Sequence, residues 1–141
     1  MRVRTRAREL AVQFLYMMDI QGAEYREALD AFLDEELGDK PGGDQAKEYA
    51  RQLVDGATLH KPAIDLLLQE AARNWDLSRM AVIDRNVLRL GCYEMLHEKD
   101  VPTKVAINEA IELGKRYSTE QSGAFINGIL DRIRKDRGLD V

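Results

Sequence analysis

Arg2, Arg4, Arg6 and Arg8 place four guanidinium groups in the first eight residues, with no acidic residue among them. The chemistry open to such a cluster is phosphate binding. Cations at a helix start oppose the helix dipole, at a cost of a few tenths of a kcal/mol each. The free N–H groups and dipole of the same helix start attract anions, so the cluster becomes useful when phosphates lie against it. Two readings fit, a phosphate-binding end or a frayed, solvated terminus. Arg4 and Arg8 are four apart and share a helix face, with Arg2 and Arg6 on a neighbouring line.

The other reactive side chains do not form a catalytic pattern. Cys92 is the sole cysteine; it lies between Leu90 and Tyr93 in an apolar run and is read as a buried, inert thiol. One cysteine also excludes an internal disulfide framework and fits a reducing compartment. His97 is five residues from Cys92, roughly 140° around a helix, so the two do not share a face. His60 and His97 are the two histidines of the chain, without the HExxH or CxxC spacing that a metal site wants. No GxGxxG or phosphate-loop pattern is present, and the acidic residues are spread as solvated charge usually is. No catalytic residue, metal or cofactor is expected.

Charge distribution matters more than its total. Outside the first eight residues the chain holds 17 basic and 25 acidic side chains, and its formal net charge is −4. That total argues against a nucleic-acid partner, but affinity follows the local field, and the basic end is focused.

These residues have to be positioned by helices, because the apolar residues recur at helical spacing and no segment reads as a strand. The first helix is predicted over 5–20, with Ala7, Leu10, Ala11, Phe14, Leu15 and Met18 on one face. Val12 and Tyr16 widen that face, so the helix is buried on two sides, and Gly22 ends it. A second follows over 23–37, burying Tyr25, Ala28, Leu29, Phe32 and Leu33. Pro41 and the Gly42–Gly43 pair make 38–44 a loop. Asp44 caps a third helix carrying Ala46, Tyr49, Ala50, Leu53, Val54 and Ala57. Pro62 opens a fourth from its first turn, with Ile64, Leu67, Leu68, Ala71, Ala72 and Trp75 inward. After a turn at 76–78, with Asp76 or Ser78 as cap, a helix runs over 79–97, broken in pattern near Asp84. Another break at 99–102 precedes two helices whose stripes are Ile107, Ala110, Ile111, Gly114 and then Ile126, Ile129, Leu130, Ile133. Gly114 and Gly128 each weaken a helix by about 1 kcal/mol and are expected where another backbone comes close. Asn108 and Asn127 are read as amides hydrogen-bonded across a helix–helix contact.

At 141 residues, 45% hydrophobic and 33% charged, the chain is one globular domain with a proper core. The expected fold is all-α, a compact single domain of six or seven helices in two packed bundles, with halves at about 1–76 and 77–141. No apolar run approaches the roughly 18 residues that span a bilayer. The basic N-terminus lacks a secretory pattern, since Gln13 and Asp19 interrupt the apolar run behind it.

Several motifs together carry a family resemblance. The runs KVAINEAIELGK (104–115) and FINGILD (125–131), preceded in the same order by RxRAREL (4–10), AVQFLY (11–16) and LRLGCYEM (88–95), resemble the NusB family of transcription antitermination factors. The resemblance covers almost the whole chain and leaves only 38–44 family-neutral. It implies the same helical architecture and a non-enzymatic, cytoplasmic, RNA-binding role in ribosomal RNA synthesis. The basic helix start is implied to contact boxA-type single-stranded RNA. Arg4, Arg6 and Arg8 match the family pattern, and Thr5 stands where many members have another basic residue. The implied RNA surface continues along the last helix through Gln121 and Phe125; Phe125 also fits a core position. Arg89 is a further RNA candidate, and equally a buried partner for Asp84 or Glu94.

The implied protein partner is the small-subunit ribosomal protein that acts as NusE, docked around Arg79, Asp84 and Glu94 within the antitermination complex with RNA polymerase. Monomer and homodimer both fit. A related module opens a family of ribosomal RNA cytosine methyltransferases. That reading needs a following catalytic domain, whereas this chain ends at Val141 after the polar stretch DRIRKDRGLDV. A helical interaction protein without RNA is the third reading.

Overall fold

The computed structural model describes residues 2–139, so Met1 and the last two residues of the polar C-terminal stretch, Asp140 and Val141, lie outside the described residues. The described residues form seven α-helices: α1 Val3–Gln21, α2 Leu29–Leu37, α3 Gly43–Leu59, α4 Lys61–Ala71, α5 Val82–His97, α6 Thr103–Tyr117 and α7 Glu120–Asp136. Short 3₁₀ segments cover Ala23–Ala28 and Leu77–Arg79, and no strand occurs among the described residues. None of these helices is long and apolar enough to cross a membrane.

The chain divides into two compact units, residues 1–56 and 57–141. The expected division near 76 is therefore displaced. Helix α4 belongs to the second unit because Ile64 and Leu68 bury its inner face and it packs on α5 and α7.

In the first unit, α1 buries every residue from Ala7 to Val12, as the two-sided apolar pattern predicts. Phe14 is fully buried with Tyr25 and Phe32 at ring-centroid distances of 5.3 and 5.5 Å. Gly22, at φ +105°, ends the helix in a conformation open to glycine. Asp44 sits inside the first turn of α3 rather than capping it. The positive φ of Gly42, +75°, turns the chain early enough for the helix to start at Gly43.

In the second unit, α5 is the central helix: Asn86 to Met95 are all buried, and α4, α6 and α7 pack against it. Gly114 behaves as its spacing suggests, since a methyl there would run into Ile126 Cδ1. Gly91 shows the same close approach without having been singled out in the sequence; a Cβ would stand 2.9 Å from Leu130 Cδ1 and 3.0 Å from Ala110 Cβ. Gly128 does not, because nothing lies within 4 Å of its would-be Cβ. Asn108 and Asn127 are likewise exposed, each one position off its helix's buried stripe, and bridge no helix contact.

Candidate nucleic-acid interface

Helix α1 begins two residues earlier than its apolar pattern, with Arg2 as its N-cap and no acidic residue in its first turn. The arginines thus stand on ordered helix, but they do not stand alike. Arg4 is exposed, and its guanidinium carbon lies 4.3 Å from the centroid of the Tyr49 ring on α3. Such a contact contributes about 0.5–1 kcal/mol at an exposed site and holds the charge in one place. Arg6 is half-buried and bonds Glu9 at 3.3 Å and Glu36 at 3.4 Å. Arg8 shares the Arg4 face, with its guanidinium carbon 5.8 Å from the Tyr49 centroid. It is nevertheless only 4% exposed, so the sequence expectation of an RNA-facing Arg8 is corrected: the side chain packs in the unit. Thr5 is half-buried.

Arg89 is also corrected. It is buried, with Nε donating to Asp65 Oδ1 at 2.8 Å, Nη2 to Asp65 Oδ2 at 3.1 Å and Nη1 to Asn86 Oδ1 at 3.3 Å. Its ion-pair partner is on α4 and is neither of the acids that the sequence suggested. Glu94 is 1% exposed, so a docking role for it is corrected as well; a side chain without surface has nothing to offer a partner.

The remaining candidates converge. Arg79 and Asp84, expected to meet a protein, and Gln121 and Phe125, expected to meet RNA, line one 340 Å³ groove of the second unit together with Trp75 and Ser122. Trp75 was expected inside helix α4. Instead the helix ends at Ala71, and Ala72 leaves helical geometry at ψ 56°. The Gln69 side chain then secures the following loop, donating to Trp75 O at 2.7 Å and accepting from Leu77 N at 2.9 Å. Trp75 is 59% exposed as a result. Its ring meets that of half-buried Phe125 edge to face, at 5.6 Å and 78°.

Local hydrogen bonds fix the rims. Asp76 Oδ1 accepts from Ser78 N at 3.0 Å and Ser78 Oγ at 2.8 Å, which holds the Asp76 carboxyl below its usual range. Thr119 caps α7 reciprocally with Ser122, accepting from Ser122 N at 3.2 Å while Ser122 Oγ accepts from Thr119 N at 3.4 Å. The Thr-x-x-Ser spacing at 119–122 carried that signal in the sequence. Within this frame Asp84 Oδ1 is buried with no hydrogen-bond partner.

Elsewhere the second unit brings His60 and His97 into a face-to-face stack, with centroids 3.8 Å apart and Tyr93 beyond at 5.5 Å from His97. Burial and the neighbouring His60 lower the His97 pKa. Burial raises that of Tyr93, helped by its hydroxyl bond to Glu98 Oε2 at 2.6 Å. The Cys92 thiol is pushed up to about 12 by burial. Among the described residues no three histidine, cysteine or acidic side chains gather as metal ligands.

A profile of the NusB family matches residues 5–135. The chain belongs to the NusB family. It is 46% identical over 134 residues to the transcription antitermination protein NusB of Myxococcus xanthus, covering 94% of this chain and 95% of that one. The solved structure of T. maritima NusB superposes with a TM-score of 0.83 at 42% identity, over 94% of this chain and 91% of that one. A crystal structure of the antitermination factors NusB and NusE in complex with double-stranded RNA has a matching chain at TM-score 0.84 and 32% identity, over 96% of this chain and 98% of that one. The all-helical architecture is thus shared with solved NusB structures. The NusB motifs at 104–115 and 125–131 supply the buried stripe of α6 and three of the buried apolar residues of α7, Ile126, Ile129 and Leu130.

Proposed function

We propose that this chain is a non-enzymatic transcription antitermination factor of ribosomal RNA synthesis, binding boxA-type RNA jointly with the ribosomal protein NusE in the cytoplasm. The observation that carries this reading is the solved NusB–NusE–RNA complex, whose matching chain has this fold along nearly its whole length. In this reading Arg4, presented on Tyr49, meets phosphate, with Thr5 and Arg6 beside it. Gln121 and Phe125 face bases, since phosphate contacts position an RNA and base contacts specify it. Arg79 and Asp84 border the same groove, which favours a joint RNA and protein surface over two separate ones. Outside its basic first turn the chain is acidic, which suits a basic ribosomal partner within the RNA polymerase complex.

Retention of boxA-like and scrambled single-stranded RNA on filters, with and without the ribosomal protein, tests the reading. A preference for boxA that strengthens when the protein is added supports it. Equal retention of both RNAs in both conditions refutes it.

A further inference from the structure

The basic first turn of α1 is a poor helix by its own sequence. It has no acidic residue, and its N-cap, Arg2, makes no side-chain bond to the free N–H groups. Arg2, Arg4 and Arg6 oppose the helix dipole, and Val3 and Thr5 are β-branched residues of modest helix propensity. Left to itself such a turn frays, yet the chain is helical from Val3 onward.

Contacts with the rest of the first unit therefore hold it. Arg4 lies on Tyr49 and Arg6 reaches Glu36, but both contacts use charges that a phosphate needs. Val3 makes a third contact that uses none. It is half-buried, and its Cγ2 stands 3.0 Å from the place that a Cβ on Gly42 would take. The Val3 side chain thus sits in the space left open by the glycine between α2 and α3. That loop is itself fixed. Lys40 N donates to Leu37 O at 3.0 Å, Gly43 N to Lys40 O at 2.8 Å and Ala46 N to Gly42 O at 3.0 Å. Gly42 takes a φ of +75°, which L side chains rarely adopt.

We propose that Gly42 is a positioning residue for RNA: its bare backbone seats Val3, and this contact keeps the first turn of α1 helical before any RNA arrives. Arg2 and Arg4 then meet phosphate without the turn having to be ordered at that moment, which is how pre-organisation raises affinity. The loop over 38–44, which carries none of the family motifs, thereby acts on RNA affinity without touching RNA. This rests on the RNA-binding reading above.

Val3→Ala in the full chain separates the contact from local preference. Alanine is the better helix former, so local preference alone would firm the turn, whereas loss of the Val3 methyls from Gly42 loosens it. Filter retention of boxA-type single-stranded RNA is measured across a salt series, beside amide hydrogen exchange of the free chain. Apparent affinity scales with the fraction of time the competent turn is formed, so the half-saturating concentration should rise about three- to ten-fold. The slope of log affinity against log salt should stay parental, because the bound state keeps its phosphate contacts. The Arg6 amide, which closes the turn on Arg2 O at 3.1 Å, should exchange faster, with the amides of α5 unchanged. Gly42→Ala, which sets a methyl against Val3 on a strained backbone, should give the same three results.

Parental affinity in Val3→Ala overturns the proposal and leaves the RNA-binding reading intact. So does a slope shallower by about 0.7, the mark of a lost phosphate contact, and so does an Arg6 amide that exchanges at the parental rate. Failure of the parent chain to retain RNA removes the RNA-binding reading, and with it the task assigned to Gly42, even where the Arg6 amide responds.

Discussion

Gly114 and Gly128 look alike in the sequence, each a glycine inside a helix, yet alanine at the two positions should shift stability in opposite directions. Both lie inside helices, α6 and α7, where replacing glycine by alanine gains about 1 kcal/mol of helix propensity. At Gly128 nothing lies within 4 Å of the added methyl, so the gain is kept and Gly128→Ala should stabilise by up to about 1 kcal/mol. At Gly114 the methyl would overlap Ile126 Cδ1 and stand 3.6 Å from Ser122 Cβ. Ile126 is fully buried, so its Cδ1 must be displaced within the core, and overpacking of about 1–3 kcal/mol equals or exceeds the propensity gain. The net expectation is a loss of up to about 2 kcal/mol for Gly114→Ala, leaving the variants about 1–3 kcal/mol apart. Urea unfolding followed by circular dichroism measures both midpoints, with slopes checked for equality so that midpoint shifts report stability. Shifts in the same direction, or a Gly114→Ala midpoint at or above that of the parent, would refute the close approach of α6 and α7.

Three further outcomes follow from buried and titrating groups. Arg89→Ala should destabilise by about 3 kcal/mol, the lower end for breaking a buried pair because Asp65 keeps 26% of its side chain exposed. RNA affinity of the folded fraction should be unchanged, and a selective loss of RNA binding would restore Arg89 to the interface. His97 has a lowered folded-state pKa against about 6.5 when unfolded, so below that pH the unfolded chain binds its proton first. The urea midpoint should therefore fall as pH drops from 7.5 to 5.5, and less steeply in His97→Phe; identical slopes would show that His97 is not the group responsible. Cys92, with its thiol pushed up to about 12, should resist a maleimide at pH 8 in the native protein and react once urea unfolds it, since the thiolate is the nucleophile. Rapid native labelling would contradict its burial.

What was legible in the sequence was local. The stripes of α6 and α7, the Pro62 start of α4 and the Gly22 stop of α1 depend on neighbours within a turn or two, so spacing alone reveals them. Trp75 misled because the end of α4 is set by Gln69 reaching two backbone atoms beyond the last turn, a choice that no periodicity records. Arg89 was paired with acids of its own helix, whereas its partner Asp65 is 24 residues away and comes near only when α4 docks on α5. Arg4 and Arg8 have the same spacing relation in sequence and structure, but Tyr49 covers the face they share, and burial separates their roles. The groove drew together residues assigned separately to RNA and to protein because its walls come from a loop, α5 and α7. No single segment shows that wall.

The central claim is that the basic start of α1 binds RNA, and the salt dependence of RNA affinity tests it most directly. Arg2 and Arg4 are the exposed pair, and neither carries the core, so Arg2→Ala with Arg4→Ala should leave the thermal melt near that of the parent. Log affinity for boxA-type single-stranded RNA against log salt loses about 0.7 in slope for each phosphate contact removed. The double variant should bind more weakly and with a slope shallower by about 1.4, while binding the ribosomal protein as the parent does. Parental affinity together with a parental slope would contradict the account and leave the arginines as a solvated helix end.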